Sequence, residues 1–153
     1  MVNKSLYLED MSNDDLHLKQ YKWSRILMYA LDNSNEILFN ILFEGKEFTD
    51  IINYLRESIL GIYNIAPKIY NSGKVIRLAL NEDTKRFILD KKWAEWKGFP
   101  LEDVSFIKDD IELVATITHE DYILINLTDE EKIIFEDNNP NLFCLIEASD
   151  KFL

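Results

Sequence analysis

From Ile111 onward, short apolar and β-branched runs recur at intervals of about ten residues, each bounded by polar turn chemistry. This spacing predicts strands over 111–118, 122–127, 132–135 and 142–146. The connections between them are His119-Glu120-Asp121, Thr128-Asp129-Glu130-Glu131 and 137–141. All are too short to bring the chain back into a parallel neighbour, which takes about a dozen residues or more. An antiparallel meander is the expected C-terminal structure.

The chain before it carries helix punctuation. Ser12-Asn13-Asp14-Asp15 offers a cap and early acids for a helix to about Leu31, with Leu16, Trp23, Ile26, Leu27, Ala30 and Leu31 near one face. The apolar run 36–43 reads as a buried strand, with a buried helix as the rival. Thr49 is placed to cap a helix to about Leu60, Phe48 stapling its first turn. Ala66-Pro67 bars its continuation, and strands at 69–70 and 75–78 flank the turn Asn71-Ser72-Gly73-Lys74. Asn81-Glu82-Asp83 opens a further helix that stops at Gly98, before Pro100. The expected class is α+β, helices packed on an antiparallel sheet with a C-terminal β-meander. At 153 residues without repeats or linkers, 1–153 reads as a single domain.

The charge is lopsided. Of 28 acidic and 17 basic side chains, residues 1–100 hold 14 and 14, so the net charge of −11 is concentrated in 101–153, which hold 14 acids against 3 bases. Apolar residues interleave those acids, so the segment folds with its carboxylates outward rather than trailing as a tail. Long-range repulsion argues against binding nucleic acid or an anionic membrane. A rigid acidic face suits a non-enzymatic protein that masks a basic protein partner, in the way an immunity-type inhibitor covers the cationic groove of a toxin nuclease. The face is expected from Asp109, Asp110, Glu120, Asp121, Asp129, Glu130, Glu131, Glu136 and Asp137, with Tyr122 or Trp96 as aromatic anchors. The plainer alternative is that these acids only solvate the sheet.

Other chemistry finds little support. Glycines at 45, 61, 73 and 98 form no phosphate cradle, and Asp129-Glu130-Glu131 lacks the spacing and glycine of a calcium loop. One cysteine and two distant histidines argue against a zinc site, so neither metal nor cofactor is expected. Cys144, inside Leu142-Phe143-Cys144-Leu145-Ile146, is expected in the core. Trp93 and Trp96 are expected on one helix face, mainly in core packing, where one of them can still serve as a contact. His119-Glu120-Asp121 is expected as a hairpin turn, the alternative being a small enzyme with His119 as general base beside carboxylates. The adjacent acids Glu102-Asp103, Asp109-Asp110 and Glu136-Asp137 are weighed as hard-metal or acid–base pairs, with solvation or docking preferred. A structural or assembly subunit is the third class. No secretory leader opens the sequence and no apolar run reaches membrane-span length, so a cytoplasmic location is expected.

Overall fold

The computed structural model describes residues 3–64 and 73–148. The chain runs β1 (Ser5–Asp10), α1 (Leu16–Asn33), β2 (Glu36–Ile41), α2 (Lys46–Leu55), β3 (Ile59–Asn64), β4 (Lys74–Ala79) and α3 (Glu82–Leu89). It continues through β5 (Leu101–Lys108), β6 (Ile111–Ile117), β7 (Tyr122–Leu127), α4 (Asp129–Asn138) and β8 (Ile146–Glu147). Short 3-10 turns occupy Trp93–Trp96 and Thr118–Glu120.

Among the described residues, four helices pack on one eight-stranded antiparallel sheet of order β3-β4-β2-β5-β6-β7-β1-β8. The fold is α+β, and β5, β6 and β7 form the meander. The N-terminal strand completes it, β1 lying between β7 and β8 with Ser5 opposite Leu127 and Asp10 opposite Tyr122.

Period-two patterning puts one set of strand side chains under the helices. Trp23, Ile26, Leu27 and Ala30 of α1 bury against Ile37, Phe39, Phe106, Val114, Ile123 and Ile125. Trp23 meets Trp93 at a ring-centroid distance of 5.2 Å and Phe106 at 6.4 Å, contacts worth about 0.5–1.5 kcal/mol each beyond burial. Phe39, Phe87, Trp96 and Phe99 form a second aromatic group. The opposite face of the sheet carries a smaller cluster of Leu8, Ala115 and Leu124.

Several elements differ from the sequence expectation. The 132–135 run is helical, not a strand. Thr128 caps α4, its Oγ1 accepting from Glu131 N at 3.1 Å while Glu131 Oε1 accepts from Thr128 N at 2.8 Å. Ile133 and Ile134 face outward and only Phe135 of that run is buried, so helical propensity with a strong cap outweighs two β-branched residues. The helix expected from Thr49 begins at Lys46 behind Gly45 and ends at Leu55, and Ile59 and Leu60 open β3. The helix from Asn81 stops at Leu89, and the tryptophans sit on a separate 3-10 turn. Only Ile146 of the 142–146 run pairs in the sheet, and Cys144 is exposed rather than core. The strand expected at 69–70 falls outside the described residues. Strands β1 and β5 answer no expectation drawn from the sequence.

Candidate docking surface and the His119 cluster

Antiparallel registers sort the acids between two ends of the sheet. Lys108 pairs with Ile111, which places the Asp109-Asp110 turn at the end where β7 leaves through Leu127 into α4. Asp109 and Asp110 have φ of 50° and 66°, so both central residues of this two-residue hairpin are left-handed, the arrangement whose relaxed sequence is Asn-Gly. Both side chains are exposed, as are Asp129 and Glu130 in the first turn of α4. The helix dipole favours negative charge at that turn. Arg77 bridges toward this end, its Nε donating to Glu36 Oε1 at 2.8 Å and its Nη2 to Asp110 Oδ1 at 2.9 Å. Lys4 Nζ donates to Glu131 Oε1 at 2.6 Å, so Glu131 is half committed to the fold.

The opposite end holds the residues that follow β6. Asp121 is an expected docking residue, but it is only 8% exposed and internally engaged. Its carboxylate accepts from Trp93 Nε1 at 2.9 Å, Lys19 Nζ at 3.1 Å and Lys97 Nζ at 3.2 Å. Burial alone pushes this carboxyl up, and the three donors, with the Lys97 charge, hold it below the ordinary aspartate value. Glu120 beside it is exposed. Trp96 is 1% exposed, so it is a core residue and not a surface anchor. Tyr122 is half-buried against the Leu8 cluster on the sheet's outer face. Glu136 and Asp137 lie near the far end of α4, away from the Asp109 turn, and Glu136 pairs with Lys132 at 2.8 Å. The expected single face is thus divided. Asp109, Asp110, Asp129 and Glu130 lie at the same end of the sheet, Glu120 stands at the other end, and Asp121 and Trp96 are interior.

A constellation that sequence reasoning missed forms beside Glu120. One ligand atom each from Glu102, Asp103 and His119 lies within 4.8 Å of the others. His119 Nδ1 is 3.7 Å from Glu102 Oε1, and its Nε2 is 3.7 Å from Glu120 Oε1. Adjacent strand residues ordinarily point to opposite faces, and a bulge removes that restriction here. Leu38 pairs with Ser105 but Asn40 pairs with Glu102, so β5 carries one extra residue, and Asp103 takes a left-handed φ of 54°. Asp103 Oδ1 then accepts from Thr118 N at 2.9 Å and Thr118 Oγ1 at 3.0 Å, fixing the turn that presents His119. The sequence signal was in two places, Glu102-Asp103 and His119, and only the fold joins them.

Two shallow grooves lie elsewhere. One, of about 380 Å³, runs between α1 and α4 past Arg25, Met28, Tyr29, Ile134 and Phe135. The Tyr29 hydroxyl is pushed up to about 12, first by burial and then by the Glu131 charge. The other, of about 370 Å³, follows the end of α4 at Glu136, Asp137 and Phe143. His119 lines neither and is 47% exposed by side chain. No helix among the described residues is long and apolar enough to cross a membrane. Comparison with family models, with curated proteins and with solved structures found no match to this chain.

Proposed function

We propose that this chain is a non-enzymatic binding protein that docks a basic protein partner on the end of the sheet formed by the β5–β6 turn and the start of α4. One observation carries the reading. A two-residue hairpin with both φ values positive is built from two aspartates, where glycine and asparagine would be relaxed. That choice costs about 1 kcal/mol of backbone strain and adds repulsion between adjacent carboxylates, and Asp129 and Glu130 add to the same field. The Arg77 pair at Asp110 and the dipole of α4 at Asp129 and Glu130 offset part of this cost, and the excess of exposed negative charge left at this end suits recognition of a cationic surface. A nuclease with a basic substrate groove has the complementary chemistry, and charge steering would make the encounter fast at low salt.

The test begins with capture of partners from the cell's own lysate on immobilised protein at low salt and elution with rising salt. The basic protein retained is then titrated against wild type and against the variant D109N/D110N/D129N/E130Q. Asparagine tolerates the left-handed turn, so the fold is kept. A loss of affinity of roughly tenfold or more with little change in melting temperature is expected. Equal affinity of the two proteins, or the retention of no basic protein, overturns the reading.

A further inference from the structure

Glu102 is a buried carboxylate without a Lys or Arg partner among the described residues. It is 8% exposed, it accepts one long hydrogen bond from Gly98 N at 3.3 Å, and its other oxygen faces His119 at 3.7 Å. Burying a carboxylate is costly unless a cation or several donors compensate it. The nearby lysine, Lys97, is engaged by Asp121. A second carboxylate, Asp103, and a third, Glu120, stand on the same imidazole or beside it. Negative charge therefore converges on His119, and among the described residues no Lys or Arg pairs with Glu102.

We propose that Glu102, Asp103 and His119 bind a divalent first-row transition ion of the zinc or manganese class. One imidazole nitrogen and two carboxylate oxygens suit such ions, which take ligands at about 2.0–2.2 Å and accept water at the remaining positions. The atoms lie within 4.8 Å of one another, so closing the site takes movements of about 1 Å, within reach of an exposed histidine. The carboxylates are already oriented from behind: Thr118 N and Oγ1 hold Asp103 Oδ1, Asn40 Nδ2 donates to Asp103 Oδ2 at 3.3 Å, and Gly98 N holds Glu102. Donors behind ligating carboxylates are the outer contacts that orient a metal site. The β-bulge at Asp103 turns two consecutive acids toward one histidine, which a regular strand would not do. The site lies at the opposite end of the sheet from the docking surface, so the two proposals stand or fall separately.

The experiment is calorimetric titration of chelator-stripped full chain with Zn²⁺ and with Mn²⁺, paired with melting temperature and with the His119 ring signals in NMR. One ion per chain with a micromolar or tighter dissociation constant, a raised melting temperature and a shifted His119 ring are expected. H119A removes an exposed ligand, and D103N keeps an acceptor for Thr118 and tolerates the left-handed backbone, so both remain folded and both weaken binding at least tenfold. D109N/D110N leaves it unchanged. No binding overturns the proposal, as does binding of several ions that H119A and D103N do not alter, since that marks diffuse attraction to an acidic surface. A His119 that responds to pH but not to either metal also overturns it and leaves a simple imidazolium–Glu102 pair.

Discussion

Trp93 Nε1 and Asp121 Oδ1 are 2.9 Å apart, a buried hydrogen bond joining the 3-10 turn after α3 to the turn after β6. Lys19 from α1 and Lys97 complete the carboxylate's shell, and Met11 N donates to the Asp121 carbonyl at 2.9 Å. The Asp121 side chain thus ties its own turn to α1 and to the 93–97 segment, and its main-chain carbonyl adds the residue after β1. Asp121→Ala leaves two lysines and an indole without their acceptor and is expected to cost about 3 kcal/mol in chemical denaturation. A loss under 1 kcal/mol would show that solvent replaces the carboxylate freely.

The same residue shapes the acid limb of stability. Asp121 and Glu131 both have carboxyls held below their ordinary values. For Glu131, burial pushes upward and is outweighed by the Lys4 hydrogen bond and the Thr128 backbone and side chain. The folded state therefore binds these protons less readily than the unfolded chain. Their stabilisation is fully present above the unfolded values of about 4 and is lost as pH falls through the lower folded values. Stability measured by denaturation from pH 6 downward is expected to fall below about pH 5, and Asp121→Asn is expected to flatten that fall.

Lys22 is the buried counterpart in the second turn of α1. Its Nζ donates to Glu9 Oε2 and to Asp14 Oδ2, each at 2.7 Å, and Glu9 is 1% exposed. Burial lowers the Lys22 ammonium and the two carboxylates more than restore it, so its value is raised. Its contribution is present below the unfolded lysine value and is lost only as alkaline pH passes the higher folded one. Lys22→Ala strands the Glu9 charge and is expected to cost about 3–5 kcal/mol, whereas Lys22→Met with Glu9→Gln recovers a good part of it. Additivity of the two changes in a double-mutant cycle would contradict the pairing.

The aspartate hairpin sets stability against recognition. Asp109→Asn with Asp110→Gly relaxes both left-handed positions, loses the exposed Arg77–Asp110 pair, and is expected to stabilise the protein by up to about 1 kcal/mol while weakening the basic partner. A variant that is more stable and binds equally well would separate the turn from the docking surface.

Cys144 is exposed, its backbone N donating to Glu9 Oε1 at 2.8 Å. A disulfide reagent is therefore expected to titrate one thiol per native chain at a rate unaffected by mild denaturant. Labelling that waits for unfolding would restore the core assignment made from its apolar neighbours.

How legible this protein is depends on what kind of signal each residue gives. Asn81 and the Asp14-Asp15 pair marked helix starts correctly, because capping is local: Asp15 accepts from Leu18 N at 2.8 Å and Asn81 from Thr84 N at 3.2 Å. The Thr128-Asp129-Glu130-Glu131 capping box is equally local, but in the sequence it reads as a turn, because Ile133-Ile134 weigh toward a strand. Strand β5 was obscured by Glu102-Asp103, whose acids interrupt its alternation for a reason visible only in the bulge. The acids of 101–153 were visible as a charge excess, but their division between two ends of the sheet depends on strand register, which no composition encodes. The interior placement of Asp121 and Trp96 depends on contacts more than twenty residues away in sequence.

Strand β1 lies between β7 and β8, with Leu6 opposite Asn126 and Leu8 opposite Ile146. A ribosome adding about 5–20 residues per second needs on the order of ten seconds to pass from one partner to the other. During that interval Leu6, Tyr7 and Leu8, which end up packed in the finished sheet, have no neighbouring strand to pair with. Closing β1 between β7 and β8 joins segments more than a hundred residues apart in sequence, so folding is expected to be slow for a chain of this size.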